Sequence, residues 1–289
     1  PENVLKKQVE LYQQKINDRR AIGECYKPDA MILTEKGWKT LEDVKEGENV
    51  LTLNVNTKQI EVQPIYEKVE YDFDGDMIRI HSRNIDDVVT PEHQYILFDN
   101  HGHTYKTRCT AEDIYNNNMN SHCYIPRTGE WLGENDEYFI IKNLNEERVS
   151  KMHENNQKKY SSDLVLPMKA FAKFMGIYLS EGFCDKHEDG TRVMISQRKQ
   201  EVTDKIEEML NELGLPFTKE SRVCEDGKTS YTFIICDMRL CRYLQQFGLC
   251  YDKYVPYELK KQNKETLKLF YDYACSYAAD PVSHDFGLW

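Results

Sequence analysis

The sequence predicts a multi-domain chain: an all-β module followed by an α+β domain in the order αββαββα, its second unit truncated. Three features carry that reading. Short β-patterned runs separated by turn clusters fill the stretch from Met31 to Ile141. A polar Asn/Lys/Glu-rich segment, residues 143–163, then breaks the pattern. Beyond it, helical periodicities alternate with strand pairs, one of them closed by Asp226-Gly227, a strong hairpin signal.

Residues 1–24 read as one amphipathic helix, with Val4, Leu5, Val9, Leu11, Tyr12 and Ile16 near helical spacing and Gly23 as its stop. Strands are predicted at Met31–Thr34, Asn49–Leu53, Gln59–Val69, Met77–Ile80 and Asp87–Thr90, with turns at Glu35-Lys36-Gly37 and Asp74-Gly75-Asp76. Many short strands indicate an all-β module, here residues 25–142. Residues 143–166 read as a linker, with helix as one option for it, and 167–289 as the α+β domain. In that domain a helix from Pro167 to Glu181 leads into a strand, a turn at Glu188-Asp189-Gly190 and the strand TRVMISQ. The helix EVTDKIEEMLNEL ends at Gly214, the strands PFTKESRV and KTSYTFIIC flank Asp226-Gly227, and the helix DMRLCRYLQQF ends at Gly248. A further helix, Glu265 to Ala279, opens a second unit of which little follows.

A length of 289 residues suits roughly two domains, and a hydrophobic share of 40% is enough for packed cores. No apolar run approaches the roughly 18 residues of a membrane span, and the charged first residues hold no signal-peptide core. Nine cysteines without a Cys-x-x-Cys pair read as reduced thiols of a cytoplasmic protein, not as a disulfide or zinc framework. The net charge is −11, but residues 184–264 hold 14 Lys/Arg against 14 Asp/Glu. Charge therefore gives no support to nucleic-acid binding, although one face of a neutral domain can still be basic.

Cys25 stands just ahead of the β-patterned region, and Thr90-Pro91-Glu92-His93 lies within it. The runs CYKPDAMILTEKGWKTLEDVKEGENVLTL and DDVVTPEHQYILF together resemble the N-terminal splicing half of an intein. The resemblance implies a horseshoe-like Hint fold, in which Thr110-Ala111-Glu112-Asp113-Ile114 matches a short helical step. It implies that the Cys25 thiol attacks the carbonyl of Glu24, turning an amide into a thioester without any cofactor, and that residues 1–24 belong to a host protein. The thiolate is the nucleophile. A proton donor must also turn the scissile nitrogen into a leaving group; His93 matches that role, and imidazole titrates near neutral pH. Thr90 matches a position whose hydroxyl orients the bond or the developing oxyanion, and Pro91 biases it toward extended backbone. His81, His101 and His103 have no such context.

The run FMGIYLSEG, Phe174 to Gly182, resembles the first helix motif of a LAGLIDADG homing endonuclease. Gly176 and Ser180 lie four residues apart on one helix face, and Cys275 and Ala279 hold the matching positions before Asp280. Small residues at this spacing let two helices approach closely. The resemblance implies that Glu181 and Asp280 meet at the helix ends and hold Mg²⁺ against double-stranded DNA, hard oxygen ligands for a hard cation. Cys275 and Pro281 replace the glycines usual there. Arg192, Arg198, Lys199, Lys219 and Arg222 are candidates for phosphate contacts, which position without specifying sequence.

The C-terminal splicing residues of the resembled family have no match, and Ser283-His284-Asp285 does not supply them. The expectation is an N-terminal intein fragment with a nested endonuclease, limited to N-terminal cleavage or to splicing with a C-terminal portion supplied in trans. Its partners would be double-stranded DNA, the host protein and that missing portion, with no membrane. The alternative is a homing endonuclease, or a vestigial DNA-binding module, on an inactive splicing scaffold.

Overall fold

A computed structural model describes residues 25–99, 105–116, 123–126, 128–185, 190–249 and 252–276. The helix expected over 1–24, His101, His103 and the helix end with Ala279, Asp280 and Pro281 lie outside the described residues. The fold is mixed α/β with several small antiparallel sheets. The chain divides into two compact units, Pro1–Trp131 and Leu132–Trp289. No helix among the described residues is long and apolar enough to cross a membrane.

In unit 1, β1 (Met31–Thr34), β2 (Gly37–Thr40), β3 (Asn49–Leu53) and β4 (Ile60–Pro64) form an antiparallel sheet in the order β2-β1-β3-β4. A hairpin follows, β5 (Ile78–His81) with β6 (Asp86–Val89). Next come β7 (Gln94–Asp99), β8 (Tyr105–Thr110), the short helix α1 (Ala111–Tyr115) and β9 (Cys123–Tyr124), in the sheet order β8-β7-β9. The strand expected to run to Val69 stops at Pro64, whose ring removes a ladder donor. Ile65 still exchanges backbone hydrogen bonds with Gly47 and Glu48 before the ladder ends. The core is small: Val89, Tyr95, Leu97 and Ala111, with Ile78, Ile80, Cys109, Ile114 and Ile125 against it.

Unit 2 opens with a hairpin of β10 (Tyr138–Ile141) and β11 (Leu164–Pro167), between which lie α2 (Glu146–Ser150) and α3 (Glu154–Tyr160). The segment expected as a linker, 143–166, is therefore folded. Leu144, Val149 and Tyr160 bury with Met238 in a satellite core. The Arg239 guanidinium pairs with the buried Asp237 and donates to the Lys159 and Ser162 carbonyls. A sparse apolar pattern suffices here because that arginine satisfies the polar backbone between the apolar positions.

Glu188 and Asp189, expected in a turn, lie outside the described residues. Apart from the short helix Tyr257–Lys260, which the sequence pattern does not predict, the remaining elements follow the order read from the sequence. They are α4 (Met168–Glu181), β12 (Gly182–Cys184), β13 (Arg192–Gln197), α5 (Gln200–Leu213), β14 (Phe217–Val223), β15 (Thr229–Cys236), α6 (Met238–Gln245), α7 (Tyr257–Lys260) and α8 (Lys264–Ser276). Gly214 ends α5 and Gly227 turns the β14–β15 hairpin, both at φ +76°, where a side chain is strained. The sheet runs β12-β13-β15-β14, with helices against one face. Val193, Ile195, Phe233 and Ile235 point into that covered face and are buried.

Helix α4 packs along α8 at close range. A Cβ added at Gly176 would stand 2.5 Å from the Phe270 carbonyl oxygen and 3.0 Å from the Ala274 nitrogen. Gly176→Ala is expected to destabilise unit 2 by up to about 2 kcal/mol, because overpacking against backbone costs about 1–3 kcal/mol and the helix-propensity gain offsets about 1 kcal/mol of it. Urea unfolding of the full chain measures it, and an unchanged or raised midpoint would contradict the close approach.

Candidate functional site

Cys25 and Thr90, 65 residues apart, are joined by backbone and side chain together. The Cys25 N–H donates to Thr90 Oγ1 at 2.9 Å, and the Thr90 N–H donates to the Cys25 carbonyl at 3.0 Å. The pairing continues outward through Tyr26, which bridges Val89, and through the Lys27 N–H, which donates to the Val88 carbonyl. Cys25 is thus an added rung beside β6, and its peptide nitrogen is held by a hydroxyl that is itself buried, with Thr90 at 1% exposure.

The Thr90–His93 turn is fixed by α1. The first N–H groups of a helix have no partner within it. Here the Ala111 N–H donates to the His93 carbonyl (2.8 Å) and the Glu112 N–H to the Pro91 carbonyl (3.0 Å). A reciprocal capping box of Thr110 and Asp113 sets that helix start. The His93 N–H closes the turn on the Thr90 carbonyl.

The His93 imidazole lies edge-on between two tyrosines, its centroid 4.2 Å from that of Tyr26 and 5.2 Å from that of Tyr95. Burial and then the Asp87 charge push the Tyr26 hydroxyl up to about 12 and raise Tyr95 too. Burial also raises the Asp87 carboxyl above its ordinary range. Sequence reasoning missed Tyr26, Tyr95 and Asp87. Their one legible signal was adjacency: Tyr26 follows Cys25, and Tyr95, near the start of β7, follows His93 by two.

In unit 2, Glu181 is the last residue of α4 and is half-buried. Lys253 reaches the same helix end. Its Nζ donates to the Tyr178 carbonyl at 2.8 Å and to the Gly182 carbonyl at 2.5 Å, and it stands 4.6 Å from the Tyr178 ring centroid. A cation there complements the helix dipole and adds a second donor to the Tyr178 carbonyl, which already accepts from the Gly182 N–H. Gly182 is required sterically, since a Cβ would meet the Tyr178 ring and backbone. No periodicity marks Lys253, which lies in the loop between α6 and α7.

The five basic candidates do not form one patch. Sheet register puts Arg192 and Arg222 on the helix-free face, together with Glu220. Lys219, paired in register with buried Phe233, lies on the helix-covered face and reaches Glu207 at 2.8 Å. Arg192 pairs with Asp185 and Arg198 with Asp226. Lys199 precedes α5 as its N-cap residue. Among the described residues no group of three or more His, Cys, Asp or Glu side chains could hold a metal ion. Glu181 is the described member of the expected carboxylate pair, and one carboxylate does not make a cation site.

No family model matches the chain. The ATP-dependent Clp protease proteolytic subunit of Chlamydomonas moewusii is 27% identical over 262 residues, an alignment covering 84% of this chain and 24% of that protein. The C-terminal section of the DNA-directed RNA polymerase subunit beta of Stigeoclonium helveticum is 25% identical over 270 residues, covering 84% and 21%. An uncharacterized protein of Methanocaldococcus jannaschii is 25% identical over 228 residues, covering 71% and 27%. The chain thus spans about a quarter of the length of these curated relatives. Among solved structures, the homing endonuclease I-WcaI bound to its DNA recognition sequence covers 45% of this chain and 62% of its own, at 12% identity and a TM-score of 0.28. A superposition that loose carries no argument.

Replacing Thr90 with Val keeps the shape and removes the acceptor for the Cys25 N–H. An unsatisfied buried donor costs about 1–3 kcal/mol. Thr90→Val is therefore expected to speed amide exchange at Cys25 by about tenfold or more, while Thr90→Ser preserves protection. Equal exchange in the two variants would show that the hydroxyl does not hold the amide.

Proposed function

We propose that the chain is a self-processing insertion element: an intein-type splicing unit carrying a LAGLIDADG-type homing-endonuclease unit. The observation that carries the reading is the seating of the Cys25 peptide nitrogen on Thr90, with His93 in the same turn. In the first step the Cys25 thiolate attacks the Glu24 carbonyl carbon. The tetrahedral intermediate collapses with loss of the carbon–nitrogen bond, leaving the Glu24 acyl group on Sγ and a free amine on Cys25. Thr90 orients the departing nitrogen through its hydrogen bond, and His93 acts as the acid that protonates it. Tyr26 and Tyr95 position the imidazole. No metal or organic cofactor enters this step.

The relatives support an insertion. By name, a protease subunit and an RNA polymerase subunit share no activity, yet each aligns with 84% of this chain through a quarter or less of its own length. A segment common to such proteins is what an element carried by different hosts leaves behind. The host here would be the protein joined through Glu24, and a C-terminal portion would complete splicing.

For unit 2 the support is the tight approach of α4 and α8 at Gly176, with Glu181 and Lys253 at one helix end. Glu181 and Asp280 would hold Mg²⁺, which when bound supplies charge neutralisation and an activated water to DNA hydrolysis. Lys253 adds a fixed positive charge at that end. A second reading, a vestigial non-catalytic module, is favoured by the ion pairs that occupy Arg192, Arg198 and Lys219.

Incubation of the purified chain with dithiothreitol at neutral pH, followed by intact mass, tests the first unit. A fragment ending at Glu24 is expected, lost in Cys25→Ala and slowed about 10²- to 10⁴-fold in His93→Ala. Cleavage that persists in Cys25→Ala would remove Cys25 as nucleophile. For the second unit, Mg²⁺-dependent nicking of duplex DNA is expected in the parent and absent in Glu181→Gln. Nicking that survives the substitution would remove Glu181 from the site.

A further inference from the structure

Beneath the end of α4 lies a thiol pair that neither proposed activity uses. Cys184 is the last residue of β12, an edge strand, and is half-buried. Cys241, on α6, has no exposed surface. Cys184 pairs in register with buried Val193 and so points to the helix-covered face, where α6 packs, and both thiols are free. The Tyr178 hydroxyl donates to Cys184 Sγ at 3.4 Å, while Cys241 Sγ lies 3.6 Å from the Asp185 carbonyl and 3.7 Å from that of Arg192.

We propose that Cys184 and Cys241 are a redox-modification site that reacts with low-molecular-weight disulfides and closes into an intramolecular disulfide beside the end of α4. The assignment does not depend on the splicing or nuclease reading. Cys184 is the attacking sulfur, being on an edge strand and partly reachable; Cys241 is the resolving sulfur, reachable by Cys184 and shielded from solvent. The surroundings suit those roles. The neighbouring Cys241 thiol, then the Tyr178 hydroxyl and the Lys253 charge, hold the Cys184 thiol below its ordinary value, while the Cys241 thiol is raised by its neighbour Cys184 and by burial. A thiol pair so divided, one thiolate-prone and accessible and one close behind it, is the arrangement that disulfide exchange requires.

The step balances. The Cys184 thiolate attacks one sulfur of the external disulfide, forming a mixed disulfide and releasing one thiolate. Cys241 gives up its proton to that leaving thiolate and attacks Cys184 Sγ, releasing the second thiolate, which takes up from solvent the proton that Cys184 lost on ionising. Two protein thiols are oxidised and one external disulfide is reduced to two thiols. The new bond replaces the thiol contacts that Cys184 makes with Tyr178 and Cys241.

Glutathione disulfide at neutral pH, with the full chain and peptide mass mapping over time, tests the assignment. The expected result is a mixed disulfide on Cys184 that gives way to a linked Cys184–Cys241 peptide, reversed by dithiothreitol. Cys241→Ala should trap the mixed disulfide, and Cys184→Ser should lower modification at Cys241 at least tenfold. A stable glutathione adduct on Cys184 in the parent chain overturns the proposal, as does an unreacted Cys184 or a link from Cys184 to another cysteine. The parent time course decides even where Cys241→Ala fails to fold.

Discussion

Helix α4 has ten of its fourteen residues buried, from Met168 to Leu179. A helix with so little polar surface must be enclosed, and unit 2 is arranged to enclose it. The sheet and α5 take one side, and α8 takes another along its length. The enclosure closes only where two backbones come near enough to exclude side chains, and Gly176 is that place. From there the rest follows: Phe171, Phe174 and Tyr178 fill the space around the helix, and the charged end of α4 is left where Lys253 can reach its carbonyls.

Unit 1 rests on a different constraint. Its core is too small to fix a turn by packing alone, so the Thr90–His93 segment is held by polar groups that would otherwise lack partners. The start of α1 has donors to spare, and the carbonyls of Pro91 and His93 accept them. Each defect repairs the other. The outcome is a histidine whose backbone is pinned at both ends of its peptide and whose ring sits between aromatic edges.

The element order of unit 2 was legible because punctuation agreed with periodicity. Gly214, Gly227 and Gly248 stand where the patterns change, and each adopts positive φ. The strand through Val69 was overextended because alternation continued past Pro64, and alternation does not register a missing donor. Residues 143–166 read as a linker because what folds them, Asp237 and Arg239, lies about 80 residues away. Cys25, Thr90 and His93 were legible as residue types at a spacing. Their hydrogen bonds were not, because a pairing across 65 residues leaves no local trace. Lys253 and the Tyr26–His93 contact belong to the same class: contacts made by topology across long stretches of chain.

Tyr178 illustrates how tightly such contacts bind one position to others. Its carbonyl accepts from Lys253, its ring faces the Lys253 ammonium and covers Gly182, and its hydroxyl reaches Cys184. A side chain at 182 displaces the ring, a smaller residue at 178 uncovers the lysine, and a neutral residue at 253 removes the charge that two carbonyls and the ring share. These four positions therefore have few single steps open to them in sequence space. Drift here has to move as a set, and a library of random variants would recover paired changes at sites where isolated ones are lost.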